Sequence, residues 1–112
     1  LVFSGDATGL GFESEFVVAA AALKVGDETL PPAVAVPGNH DYYTSRSVRL
    51  GLFEKYFAPW QQGVRIEGHT YPFALKVGAV WLVCVNSSTR NLLPLDASGA
   101  VGREQLERLR TL

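Results

Sequence analysis

Residues 33–43 read Ala33-Val34-Ala35-Val36-Pro37-Gly38-Asn39-His40-Asp41-Tyr42-Tyr43. The four apolar residues, with prolines on both sides, predict a short buried strand. Pro37 and Gly38 end it abruptly, and Gly38 permits a turn that a side chain would forbid. A carboxamide, an imidazole and a carboxylate then emerge together, three groups able to ligate a cation or carry a proton. They stand at the C-terminal end of a strand, where open α/β sheets present their ligand sites. A plainer reading is a polar turn in which Asn39 and Asp41 cap backbone groups. On this stretch alone both readings stay open.

The beginning of the chain repeats the pattern. Leu1-Val2-Phe3-Ser4-Gly5-Asp6 is an apolar strand, a glycine and a carboxylate at the strand's end. The intervening Phe12 to Lys24 predicts a helix with Phe12, Phe16, Ala19 or Ala20, and Leu23 on one stripe. Glu13 and Glu15 fall in its first turn, where the helix dipole favours them, and Gly26 suits its C-terminal cap. A strand, a helix and a strand imply a right-handed crossover between parallel neighbours. Asp6 and Asn39 are therefore expected on one rim of one sheet.

Gly5-Asp6-Ala7-Thr8-Gly9-Leu10-Gly11, Glu15-Phe16 and Gly38-Asn39-His40-Asp41 together resemble the calcineurin-like metallophosphoesterase superfamily. Its second and third motifs, GD and GNH[DE], match these residues. The resemblance continues through the Asn86-Ser87-Ser88 strand exit and the Gly-x-x-Gln-Leu-x-x-Leu run from Gly102. It implies an α/β fold, part of a four-layer α/β/β/α sandwich with a mixed sheet. It also implies hydrolysis of a small phosphoester at two divalent metal ions, manganese, iron or zinc. Such a pair lies about 3.5–4 Å apart, lowers the pKa of a bridging water and clamps the phosphoryl oxygens.

By the same resemblance Asp6 bridges the two ions and Asn39 ligates one through its carboxamide oxygen. His40 is not a ligand; it stabilises the transition state or protonates the leaving group. An aspartate three residues after the GD aspartate usually orients that imidazole, and here the position is Gly9. Asp41 is the nearest remaining candidate to orient His40. Thr8 is expected to cap the loop. The family's remaining motifs, Asp-x-His, a lone histidine and Gly-His-x-His, would fall before residue 1 and after residue 112. Gly68-His69-Thr70-Tyr71 imitates the last of them, but Tyr71 replaces its second histidine, so His69 is expected on a surface loop.

The chain of 112 residues has room for one small core, and its net charge of -1 carries no nucleic-acid footprint. The longest apolar run, Phe16 to Leu23, is far too short to span a membrane. No signal peptide opens the chain, and Cys84 has no partner, which together point to the cytoplasm. Cys84 itself reads as a small buried hydrophobe. The chain has no methionine, starts within a strand and stops within a helix, so we expect residues 1–112 to be the interior of a larger domain, truncated at both ends.

Beyond the central stretch, Ser47 to Phe57 predicts a second helix with Leu52, Phe53, Tyr56 and Phe57 on one face, ended by Ala58-Pro59-Trp60. Residues 61–69 read as a loop. Tyr71, Phe73, Leu75 and Val77 alternate with Pro72, Ala74 and Lys76 as in a half-buried strand. Gly78 turns the chain into an antiparallel partner, Ala79 to Val85. Residues 90–101, with Pro94 and Gly99, read as a loop before a helix striped by Leu106, Leu109 and Leu112. A second function stays open: a catalytically silent relative that keeps the fold as a binding or scaffold module, with Gly9 as its first sign. Oligomeric state is not legible.

Overall fold

The computed structural model describes residues 1–90, 93 and 96–112; Pro94, in the expected loop, lies outside them. Strand β1 (Val2–Phe3) runs parallel to β2 (Val34–Ala35), with Val2 opposite Val34 and Phe3 opposite Ala35. Helix α1 (Glu13–Ala22) lies in the connection between them, as expected for a parallel pair. Its stripe is narrower than expected. Phe16 is fully buried, but Phe12 is 55 % exposed because it is the N-cap, outside the helical turn. The C-terminal cap also differs: Lys24, not Gly26, takes the left-handed position just past the cap, with φ 55°. The Val25 and Lys24 N–H groups return to the Ala20 and Ala21 carbonyls, which closes a Schellman motif.

The expected helix over 47–57 is two short ones, α2 (Ser45–Arg49) and α3 (Leu52–Tyr56). The break is Gly51, which adopts φ 57° and terminates α2 before starting α3. Thr44 caps α2, its hydroxyl accepting from the Ser47 N–H at 3.0 Å. The apolar face survives the break. Leu52, Phe53 and Phe57 are buried with Phe16, Ala35 and Trp60 in one core cluster, and Tyr56 packs against it. Glu13 joins α1 to α3 by accepting from Lys55 Nζ at 3.0 Å and Tyr56 Oη at 2.8 Å.

The loop read over 61–69 contains a short strand, β3 (Val64–Arg65), paired antiparallel with β4 (Phe73–Val77). β4 in turn pairs with β5 (Val80–Cys84) around the Gly78 turn, giving the expected hairpin. The alternation expected of β4 fails: Phe73 and Ala74 are both buried, while Val77 at the tip is exposed. Val34, Tyr71, Phe73 and Cys84 form a second core cluster, so Cys84 is the buried hydrophobe expected of it. Helix α4 (Arg103–Thr111) closes the chain.

β2 is where the two cores meet. Ala35 belongs to one cluster and its neighbour Val34 to the other, because successive strand residues face opposite sides. The architecture is thus mixed α/β, with two small sheets among the described residues. No helix among the described residues is long and apolar enough to cross a membrane.

Candidate functional site at the paired strand ends

The parallel β1–β2 pair carries its two exit loops into direct contact. A Cβ on Gly5 would fall 2.0 Å from the Gly38 nitrogen, and one on Gly38 would fall 2.1 Å from Asp6 Oδ1. Neither position has room for any side chain. Gly5 also has φ 100°, a conformation that strongly favours glycine. Asp6 follows with φ 57°, an uncommon place for a residue with a Cβ.

Asp41 holds this geometry. Its carboxylate is fully buried and accepts from the backbone N–H groups of Asp6 at 2.8 Å, Thr8 at 3.0 Å and Gly38 at 2.9 Å. One side chain thereby ties both exit loops together. Burial lifts its carboxyl above the ordinary value, although the Gly38, Thr8 and Asp6 N–H groups pull it down. The Asp6 carboxylate adds to the rise. The expectation that Asp41 orients His40 is corrected here, because its oxygens are occupied by backbone donors and the Thr8 hydroxyl. Thr8 caps the loop as expected, its hydroxyl oxygen accepting from the Gly11 N–H at 3.0 Å.

His40 is held from Gly9. Its Nδ1 lies 2.6 Å from the Gly9 carbonyl oxygen. A carbonyl can only accept, so Nδ1 carries the proton and Nε2 is the nitrogen left for chemistry. The imidazole also stacks on Tyr43, with ring centroids 5.7 Å apart and planes 5° from parallel. The His40 backbone N–H donates to Asp6 Oδ1 at 3.1 Å, so residues from the two exit loops share one rim. His69 lies apart from that set, exposed in the turn between β3 and β4.

The donor set can be tested for a metal. Asp6 Oδ2 and the Asn39 carboxamide engage no protein group among the described residues, whereas Asp6 Oδ1 is already bonded to backbone. A carboxylate oxygen and a carboxamide oxygen at one strand-end rim are donors that suit a hard or borderline divalent cation. Among the described residues no group of three or more histidine, cysteine, aspartate or glutamate side chains gathers to hold an ion. Asp6 and Asn39 therefore fit as contributors to a coordination shell, and they do not complete one.

A buried polar network behind the rim was not legible in the sequence. Glu54 Oε1 on α3 accepts from Tyr42 Oη at 2.6 Å and from Tyr71 Oη at 3.0 Å. Asn86, at the end of β5, donates to Tyr42 Oη at 3.0 Å, and Gln61 donates to Tyr71 Oη at 2.6 Å. Burial first, and then the Glu54 carboxylate, push both phenols well above their ordinary value. The Ser88 hydroxyl donates to the Pro37 carbonyl at 2.7 Å, which joins the β5 exit to the strand-end loop. The pattern Glu54-x-x-Phe57 reads as an ordinary exposed helix position, so only the fold reveals its partners.

The family model of the calcineurin-like phosphoesterases matches residues 1–109. The chain belongs to that family, whose members are generally dependent on two metal ions. No curated protein and no solved structure shows significant similarity to the chain.

Proposed function

We propose that the chain supplies the strand-end rim of a metal-dependent phosphoester hydrolase. The observation that carries this reading is the bond from the His40 backbone N–H to Asp6 Oδ1, which joins the residues of both family motifs at one place. Asp6 and Asn39 would hold divalent metal, Asp6 through Oδ2 and Asn39 through its carboxamide oxygen. When bound, two such ions supply a hydroxide at neutral pH and offset the charge of the phosphoryl oxygens. Such oxygen donors suit manganese, and joined by imidazoles they suit iron or zinc as well.

His40 takes the acid role. As the P–O bond to the leaving group breaks, the departing oxygen would take the proton of a doubly protonated His40 from Nε2. The imidazole is left neutral with its Nδ1–H still on Gly9. The Gly5-Asp6-x-Thr8 and Glu15-Phe16 pattern favours a phosphodiester over a phosphoprotein as substrate. Residues 1–112 act within a larger domain in this reading, and β2, covered on both faces, suits the interior of the four-layer sandwich. A cytoplasmic setting suits the unpaired Cys84.

The silent-scaffold reading is favoured by Gly9, which lacks the usual carboxylate. The carbonyl of the same residue takes over that contact, and this favours the enzyme. The test is hydrolysis of bis-p-nitrophenyl phosphate by the complete domain loaded with manganese. We expect turnover, and a fall in kcat of about 10²-fold in His40→Ala with metal content unchanged. Metal-loaded protein inert on a panel of mono- and diesters establishes the scaffold reading. Loss of metal in His40→Ala reassigns His40 as a ligand.

A further inference from the structure

Glu15 lies outside the strand-end rim, yet three backbone groups of the Gly9 loop converge on it. Its Oε2 accepts from the Gly9 N–H at 2.7 Å, and its Oε1 accepts from the Phe12 N–H at 3.1 Å. The Leu10 N–H lies 3.2 Å and 3.3 Å from the two oxygens. The Phe12 contact is half of a capping box and needs no further explanation. The other two are not part of a cap, and they fall on the peptide that meets His40.

The Leu10 N–H and the Gly9 carbonyl belong to one peptide unit. In a trans peptide the two point in opposite directions from a rigid plane. A carboxylate that fixes the N–H on one side therefore fixes the direction of the carbonyl on the other. The bonds also reinforce each other, since an anion at the N–H draws charge onto the carbonyl oxygen and makes it a better acceptor. The sequence of contacts is Glu15 carboxylate, Leu10 N–H, Gly9 carbonyl, His40 Nδ1–H.

We propose that Glu15 is a positioning residue for His40, acting through the Gly9–Leu10 peptide to hold the imidazole in its Nδ1–H form and orientation. The absence of a side chain at Gly9 belongs to the same device. A Cβ there would stand 3.3 Å from Glu15 Oε2, tight enough to press on the carboxylate that does the holding. The consequence for catalysis rests on the acid role of His40 given above. The tautomer does not.

The experiment uses the 15N-labelled chain, whose two histidines report separately by long-range nitrogen–proton NMR. The nitrogen shifts and couplings of the ring read its tautomer directly. His40 is expected in the Nδ1–H form, since its Nδ1 faces the Gly9 carbonyl. Glu15→Ala should shift His40 away from that form. Glu15→Gln, which keeps the reach but sets one oxygen and an amide against three donors, should fall between. A His40 signal unchanged in both variants overturns the proposal. Should Glu15→Ala lose the dispersed amide spectrum of the fold, an unchanged His40 in Glu15→Gln overturns it alone. In the complete domain, Glu15→Gln should lower kcat several-fold with KM unchanged. A tautomer that responds while kcat does not leaves the positioning role standing and removes the acid role instead.

Discussion

The strand-end rim and the β3–β4–β5 hairpin side of the molecule are held by opposite means. At the rim, Gly5 and Gly38 touch backbone to backbone, and Asp41 accepts from three separate peptide groups. The backbone of both exit loops there is held by polar contacts with a direction. On the hairpin side the residues are more apolar, but many face outward: Trp81 is 53 % exposed and Val83 51 %. With Val64, Ala74, Leu109 and Leu112 they line an apolar groove of about 310 Å³. Polarity is thus no guide to which part of this chain is rigidly built. The rim is set by buried donors that must be satisfied, whereas the outer hairpin face makes mainly apolar, non-directional contacts.

The sharpest way to break the contrast is a single methyl group at the rim. Gly38→Ala would place a Cβ within 2.5 Å of the Asp6 nitrogen and closer still to Oδ1, so the two exit loops must part. We expect a loss of more than about 3 kcal/mol, the upper end for overpacking, in urea unfolding of the chain. A near-native midpoint would show that the two loops are not interlocked.

Asp41→Asn is the next largest. The carboxamide keeps the shape but turns an NH2 group toward backbone donors and leaves at least one of them unpaired. About 2–3 kcal/mol should be lost by the same measurement. Trp81→Thr on the hairpin face is the control, with a change of about 0.5 kcal/mol or less. Equal costs at Asp41 and Trp81 would erase the difference between the two regions.

The smallest effect is a pH dependence at Glu15. Burial works against its charge, but the Gly9, Phe12 and Leu10 N–H groups prevail and hold its carboxyl below the ordinary value of 4.5. A group depressed in the folded state adds stability above its unfolded pKa and loses it as pH falls through the folded one. The advantage of wild type over Glu15→Gln should therefore be full near neutrality and shrink as pH drops from 4.5 through that lower value. An advantage independent of pH across this range would mean that the clamp does not depend on charge.

Much of the rim was legible in the order of residues. Two apolar runs ending in Gly-Asp and Gly-Asn-His-Asp, with a helical stretch between them, require parallel neighbours and a shared rim, and β1 and β2 are such a pair. The aromatic face of Leu52, Phe53, Tyr56 and Phe57 was equally visible, since its spacing outlasts the break at Gly51. That break could have been read from Gly51 itself. Short-range signals of this kind survive because strand alternation, helical period and glycine's freedom act over a few residues.

What lay beyond sequence was which partner each polar group would take. Asp41 was the nearest carboxylate to His40 along the chain, yet it is spent on the backbone of residues 6, 8 and 38. Gly9 looked like the loss of an orienting group, yet its carbonyl makes the contact. Glu54 carried no signal at all and sits between two tyrosines. The apolar run from Ala79 to Val85 gave no sign of which side each residue would take, and Trp81 and Val83 face outward. A hydrogen bond depends on distance and angle over about 3 Å, and those are set only after elements far apart in the chain have packed.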